Sequence, residues 1–149
     1  MNLFGMLELS GSALGAERQR AEVVASNMAN AQTTRTATGG PYRRQMVVFQ
    51  AQRVPRFSLA LAGSFTLAGQ RENSSAVRVA AVVSDQRPPV MRFEPGHPDA
   101  NAQGYVAYPQ VDPIEEMTDL LGAVRAYELN ASAVQATKNM IAQSLDLLR

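Results

Sequence analysis

Asp99-Ala-Asn101-Ala-Gln103-Gly104 sets side-chain oxygens at alternate positions before a glycine, the spacing with which a calcium loop opens. Such a loop closes on a bidentate glutamate at its twelfth position, and Gln110 stands there with a neutral amide. The stretch therefore reads as a tight turn ahead of a strand at Tyr105. His97, the only histidine, lies between Gly96 and Pro98. A general base needs an orienting partner and a pocket; with Glu94 and Asp99 merely near in sequence, a solvated turn histidine is the simpler reading. There is no cysteine, which excludes disulfides, thiolate catalysis and Cys-ligated metal. No serine has a Gly-x-Ser-x-Gly setting and no glycine-rich phosphate loop occurs. No catalytic residue, cofactor or metal is expected.

Nine arginines fall between residues 35 and 110, against four acids, for a net charge of +5 there. They are spread out, without a dense basic run or a stacking platform of aromatics, so nucleic acid is not an expected partner. Residues 1–34 carry net −1 and residues 111–149 net −3, which leaves +1 for all 149 residues. A basic middle facing acidic partner surfaces, or the acidic C-terminal segment itself, suits this split. All eight prolines lie between Pro41 and Pro113, so both ends are free of internal helix breakers. Three segments follow: a helical 1–34, a β-rich 35–110 and a helical 111–149. No apolar run approaches the ~18 residues that a membrane span requires. The first residues lack a basic start, and Glu8 interrupts their apolar stretch, so no cleaved signal peptide is expected.

The C-terminal segment is the most strongly patterned. Asp112 before Pro113 is a helix N-cap followed by proline at the first helical position. Glu115, Glu116 and Asp119 follow where the helix dipole favours negative charge. Leu120, Val124, Tyr127, Ala131, Val134, Lys138, Ile141, Leu145 and Leu148 then recur in steps of four and three. That period predicts one narrow seam over Pro113–Arg149, a helix of about 55 Å, too long for the interior of a compact chain of this size. Lys138 is the charged member of the row; it either snorkels to the rim or specifies register.

Leu7, Leu14, Ala21 and Met28 recur every seven residues in the N-terminal segment, with Leu3 and Val24 on the companion row. Glycines and alanines surround them, so this helix is marginal alone and gains its order by packing. It is expected to stop near Thr33–Thr34. Asn27 and Asn30 share a helical face; they either fix register across a packed interface or help to terminate the helix. The middle predicts strands at Tyr42–Ala51, Val77–Val83, Val90–Glu94 and Tyr105–Tyr108, and a hairpin at Phe57–Leu67. The fold class is α+β: long terminal helices pairing as a coiled-coil-like bundle, with a small β-rich central insert.

Gly11-Ser-Ala-Leu14 followed by Ala25-Ser-Asn-Met-Ala-Asn-Ala31 resembles the N-terminal signature of the flagellar rod, hook and axial protein family. Gly40-Pro-Tyr-Arg43, Val47-Val-Phe-Gln50, Phe93-Glu-Pro-Gly-His-Pro98, Gly104-Tyr-Val106, Pro109-Gln-Val-Asp112, Glu116-Met117 and Arg125-Ala-Tyr127 place the resemblance among its proximal-rod members. It covers most of the chain, residues 51–76 excepted. The resemblance implies a structural subunit, exported through the flagellar secretion channel without a cleaved signal. Such a subunit polymerises in the periplasm into the helical rod that carries torque from motor to hook. The implied partners are other copies, other flagellar rod proteins, the export apparatus, and motor-ring or export-gate adaptor proteins. The expected assembly interface is Leu7, Leu14, Val24, Asn27, Met28, Asn30, Leu120, Val124, Tyr127, Val134, Lys138, Ile141, Leu145 and Leu148. The alternative reading is a small non-enzymatic binding module that dimerises through its helices.

Overall fold

The computed structural model describes residues 3–53 and 75–147. Two long helices frame two β-hairpins: α1 (Leu3–Ala29), β1 (Gln45–Arg53), β2 (Ser75–Ser84), β3 (Val90–Phe93), β4 (Tyr105–Tyr108) and α2 (Pro113–Asp146). This is the α+β arrangement that the residue pattern predicts. The expected hairpin at Phe57–Leu67 lies outside the described residues.

α2 starts as its sequence dictates. Asp112 Oδ1 accepts the Ile114 amide at 2.9 Å, with Pro113 opening the helix and Glu115 and Glu116 in its first turn. Its 34 residues run about 51 Å at ~1.5 Å per residue. α1 lies antiparallel along it. Asn27, near the end of α1, meets Glu116 at the start of α2, and Arg20 Nη2 lies 3.5 Å from Asp119 Oδ1. From Asn27 back to Leu3 α1 covers about 36 Å, a reach that ends near Met140.

The seam between the helices is built from small and polar residues. Ala16, Val24 and Asn27 are buried on α1, and Glu116, Ala123 and Thr137 on α2. The row expected from periodicity is therefore displaced by one position at Val124 and Lys138, while Leu120, Val134 and Ile141 stay half-buried. Ala123 is buried while Val124 is exposed, and Thr137 is buried while Lys138 is exposed. Small side chains let the helix backbones approach; a row of larger residues would hold them apart. Thr137 satisfies its buried hydroxyl by donating to the Ala133 carbonyl at 2.8 Å.

α1 ends at Ala29, short of the expected Thr33–Thr34. Asn30 Nδ2 donates to the Ser26 carbonyl at 2.9 Å, Asn30 Oδ1 accepts from Thr33 Oγ1 at 3.2 Å, and the last turn tightens as the Ala31 amide reaches Met28. A short polar side chain thus competes with the backbone for the last helical carbonyls. The residues Tyr42 to Arg44, expected as strand, serve as connector, and β1 begins at Gln45. The Tyr42 amide donates to the Thr33 carbonyl at 3.0 Å, closing the connector loop.

β1 and β2 pair antiparallel from Gln45↔Ser84 to Arg53↔Ser75, with a bulge at Val48/Phe49 that leaves Ala80 as the extra residue. This ribbon rests on α1, where the Val77 amide donates to Ser12 Oγ at 3.0 Å. β3 and β4 form a second, separate hairpin, Val90↔Tyr108 to Phe93↔Tyr105. No described helix or strand packs against it. It is tied to the rest at the loops, through Thr34 Oγ1 donating to Asp99 Oδ2 at 2.8 Å and Arg35 at 3.7 Å from Asp99 Oδ1.

Among the described residues the buried apolar side chains are Ala16, Val24, Ala76, Val106 and Ala123, three of them alanines. So thin a core supplies little hydrophobic stabilisation for an elongated chain. No described helix is long and apolar enough to cross a membrane.

Candidate assembly interface

Three elements meet at one buried polar junction. Asn27, 1% exposed, lies on the last turn of α1. Its Nδ2 donates to the Gln45 carbonyl at 2.8 Å and to Glu116 Oε2 at 2.9 Å. Its Oδ1 accepts from the Gln45 amide at 2.9 Å and from the Tyr42 hydroxyl at 3.0 Å. Both donors and both acceptor sites of the amide are used. Asn27 pairs with both backbone groups of Gln45, as a neighbouring strand would, and so closes the open edge of β1 where the ribbon begins.

Glu116, fully buried, accepts Asn27 on one carboxylate oxygen and Arg44 Nε on the other. Arg44 also lies 3.4 Å from Asp119 and 3.5 Å from Glu115. Burial by itself would lower the proton affinity of the Arg44 guanidinium. The hydrogen bond to Glu116 and the charges of Glu115 and Asp119 outweigh it and raise that affinity above the ordinary value. A buried carboxylate is tolerable here because each oxygen has a donor. A cleft of about 300 Å³ opens beside the junction, between Val24, Arg44, Met46 and Phe49. Its charged walls are engaged with one another, an arrangement suited to holding elements together.

The second polar cluster is the turn of the β3–β4 hairpin. Asn101 Oδ1 accepts the amides of Gln103 and Tyr105, both at 2.9 Å. The Asp99-to-Gly104 stretch is therefore the tight turn its sequence suggested. His97 stays in the loop, where its Nδ1 accepts the Asp99 amide at 3.1 Å. No group of metal-binding side chains occurs among the described residues.

The residues expected at an interface divide into two sets. Val24 and Asn27 are buried inside the chain, and Leu7, Leu14, Met28, Asn30, Leu120, Val134 and Ile141 are half-buried. Val124, Tyr127, Lys138 and Leu145 are exposed. Leu148 lies outside the described residues. Asn27 and Asn30, alike in the sequence, do different work: the first holds register between α1, β1 and α2, the second ends α1. Glu116 and Arg44 were not among the expected interface residues. Carrying the row of α2 back one step of three from Leu120 reaches exposed Met117; Glu116 lies beside the row, and a charged residue there reads as dipole compensation until its partners are known.

The sequence matches known proteins along nearly its whole length. Residues 7–35 match the family described as "Flagella basal body rod protein", and residues 102–147 match "Flagellar basal body rod FlgEFG protein C-terminal". The chain is 40% identical to the flagellar basal-body rod protein FlgC of Bacillus subtilis over 151 aligned positions, covering 99% of each chain. It is 37% identical to FlgC of Salmonella typhimurium, over 99% of this chain and 98% of that one. With FlgC of Borreliella burgdorferi it shares 35% identity over 100% and 99% of the two chains.

The chain belongs to the FlgC family of flagellar basal-body rod proteins.

Membership makes it a structural subunit of the flagellar basal-body rod. The two family matches fall on the helical segments. The first spans most of α1 and the loop to Arg35, including Asn27 and Asn30; the second runs from the β3–β4 turn through α2. Asn27 and Glu116 of the junction thus lie within the matched residues, whereas Tyr42, Arg44 and Gln45 lie between the two matches.

Proposed function

We propose that this rod subunit polymerises helically through its terminal helices, with copies of itself and with other rod proteins, to form the proximal rod that transmits torque from motor to hook. The carrying observation is the apolar surface left after the helices have packed on each other. α1 occupies the small-residue seam of α2, and Val124, Tyr127 and Leu145, at 42%, 43% and 62% exposure, remain outside it. Heterologous contacts between such surfaces generate helical filaments where the rotation does not close. Val24 and Asn27 act within the subunit, while Val124, Tyr127, Lys138 and Leu145 face its neighbours.

The chain reaches the periplasm through the flagellar export apparatus without a cleaved signal, and adaptor proteins at the motor ring and export gate receive it. A core made largely of alanines favours passage in an unfolded state. It performs no chemistry, which accords with a junction whose charged groups bond one another. The alternative of a module dimerising through its helices has less support, since α1 and α2 already pair within one chain.

The test is Val124→Ser combined with Leu145→Ser in a strain lacking its own copy. The subunit is expected in the periplasm or medium by immunoblot, with no rod in basal-body images. Intact rods containing the double variant would show that this surface does not hold the assembly.

A further inference from the structure

We infer that the β3–β4 hairpin is a hinged arm, clasped to the rest of the chain by the Asp99 carboxylate, and that Thr34 and Asp99 together decide which way its exposed aromatic knob points.

The arm is a body of its own. Phe93 and Tyr105 are cross-strand partners whose rings meet edge-on with centroids 5.3 Å apart, and these two exposed rings form the knob. Arg92, Val106 and Tyr108 lie on the opposite strand face. Val106 is fully buried, although no described helix or strand packs against the hairpin. The hairpin's own loop folds back on this face. His97 sets its ring 6.3 Å from that of Tyr108, the Tyr108 hydroxyl donates to Glu94 Oε2 at 2.8 Å, and Arg92 lies 4.8 Å over the same ring. The Asp99 amide donates to His97 Nδ1 at 3.1 Å, and the Ala100 amide to the His97 carbonyl at 3.0 Å. Asp99 is therefore carried firmly by the arm.

The receiving side is equally fixed. Thr34 and Arg35 lie in the connector after α1, which is closed by the Tyr42 amide on the Thr33 carbonyl at 3.0 Å and the Thr36 amide on the Gly40 carbonyl at 2.9 Å. Between the two bodies the link is narrow. Among the described residues, every hydrogen bond and ion pair that joins residues 88–111 to the earlier part of the chain ends on Asp99. Thr34 Oγ1 donates to Oδ2 at 2.8 Å and carries the contact. Arg35, 78% exposed, stands 3.7 Å from Oδ1, where water screens the pair.

The roots of the arm permit one kind of movement. The chain enters through Arg87-Pro-Pro89 and leaves through Pro109-Gln-Val111. Proline fixes φ at Pro88, Pro89 and Pro109, so rotation is left to the few bonds beside them. That is a hinge and not a slack tether, and buried Pro109 is its pivot. No residue of either root bonds to Asn27, Glu116 or Arg44 among the described residues, so the arm can turn while the helices keep their register. Its use rests on the reading of the chain as a rod subunit set among copies and other rod proteins: one sequence can then present its knob to unlike neighbours.

The chain has no cysteine, so two introduced thiols take spin labels. Gln103→Cys labels the exposed turn of the arm, and Leu129→Cys an exposed position on α2. Pulsed electron paramagnetic resonance on the purified full-length chain reads their separation. One narrow distance distribution is expected with Thr34 and Asp99 in place. Tyr105 stands about 10 Å beyond Tyr108 along β4, so Asp99→Ala should shift or broaden the distribution by several ångströms. Thr34→Val acts from the receiving side and leaves the arm's own residues intact; it should give the same change. Thr34→Ser, which keeps the hydroxyl, should keep the narrow distribution. Unchanged distributions in Asp99→Ala and Thr34→Val overturn the proposal. A change in only one of the two overturns it as well, since a clasp fails when either half is removed. So does a broad distribution in the labelled parent chain that neither substitution alters. None of these results bears on whether the chain builds a rod, which basal-body images decide separately.

Discussion

Asn27 Nδ2 donates to Glu116 Oε2 at 2.9 Å across 89 residues of sequence, and neither side chain is reached by solvent. This bond ties the end of α1 to the start of α2 at a point where β1 also begins. The same amide holds Gln45 by both its backbone groups. The orientation of the ribbon and the register of the helix pair are thus set together.

Replacing Asn27 by Ala should therefore cost more than a surface change. It strips partners from the Gln45 amide and carbonyl and weakens the support of Glu116. Unsatisfied buried groups cost about 1–3 kcal/mol each, and partial hydration should leave roughly 3 kcal/mol in all. Denaturant titration of the purified chain measures it. A loss under about 1 kcal/mol would mean that the amide does not set register.

Asn27 and Glu116 should also be energetically coupled. In a double-mutant cycle with Asn27→Ala and Glu116→Gln, the second change should cost less once the first is made, with an interaction of about 0.5–3 kcal/mol. Additive losses would indicate that Arg44 alone supports the carboxylate.

Ala123 and Val124 should respond in opposite ways to a change of size. Ala123→Leu inserts bulk into a seam where Ala123 is fully buried, and should cost about 1–3 kcal/mol by overpacking. Val124→Ala removes exposed surface and should alter the stability of the isolated chain by less than about 1 kcal/mol. Equal effects by thermal unfolding would place both residues in one seam.

Gly104→Ala should disturb the hairpin knob. Its φ of +81° disfavours any side chain, and the new methyl would meet Phe93. A left-handed non-glycine residue costs about 1–2 kcal/mol. The loss of nuclear Overhauser contacts between the Phe93 and Tyr105 rings would report the displacement; unchanged contacts would count against it.

Tyr108 should titrate late. Its hydroxyl donates to Glu94 Oε2 at 2.8 Å, and this hydrogen bond, with lesser help from burial and the carboxylate charge, raises its pKa above the tyrosine norm. Ionisation would set two negative charges together, so the neutral form is favoured. The resulting stabilisation is fully present below the unfolded tyrosine pKa of about 10 and is lost as pH rises through the folded value. Phenolate absorbance should show one tyrosine lagging in alkaline titration, and Glu94→Gln should bring it back toward the rest.

Local chemistry alone determined much of this protein. Asp112-Pro113 and the acids that follow specify the start of α2 because capping and dipole effects act within one turn. The alternation around Val90 and Tyr105, and the Asn101–Gly104 turn, specify a hairpin because its partners are adjacent in the chain. The ordered motifs around Asn27, Pro95 and Tyr127 carried the family resemblance. Which face of α2 is buried was decided only in three dimensions. A 3.5-residue period fits Val124 as well as Ala123, and the choice fell to the small residue because α1 approaches too closely for the large one. The same holds for Asn27 and Asn30. Both sit on one helical face, but only Asn27 lies where the edge of β1 and the carboxylate of Glu116 converge. Residue type states what a side chain can bond; the packing of distant segments alone decides which bonds are within reach.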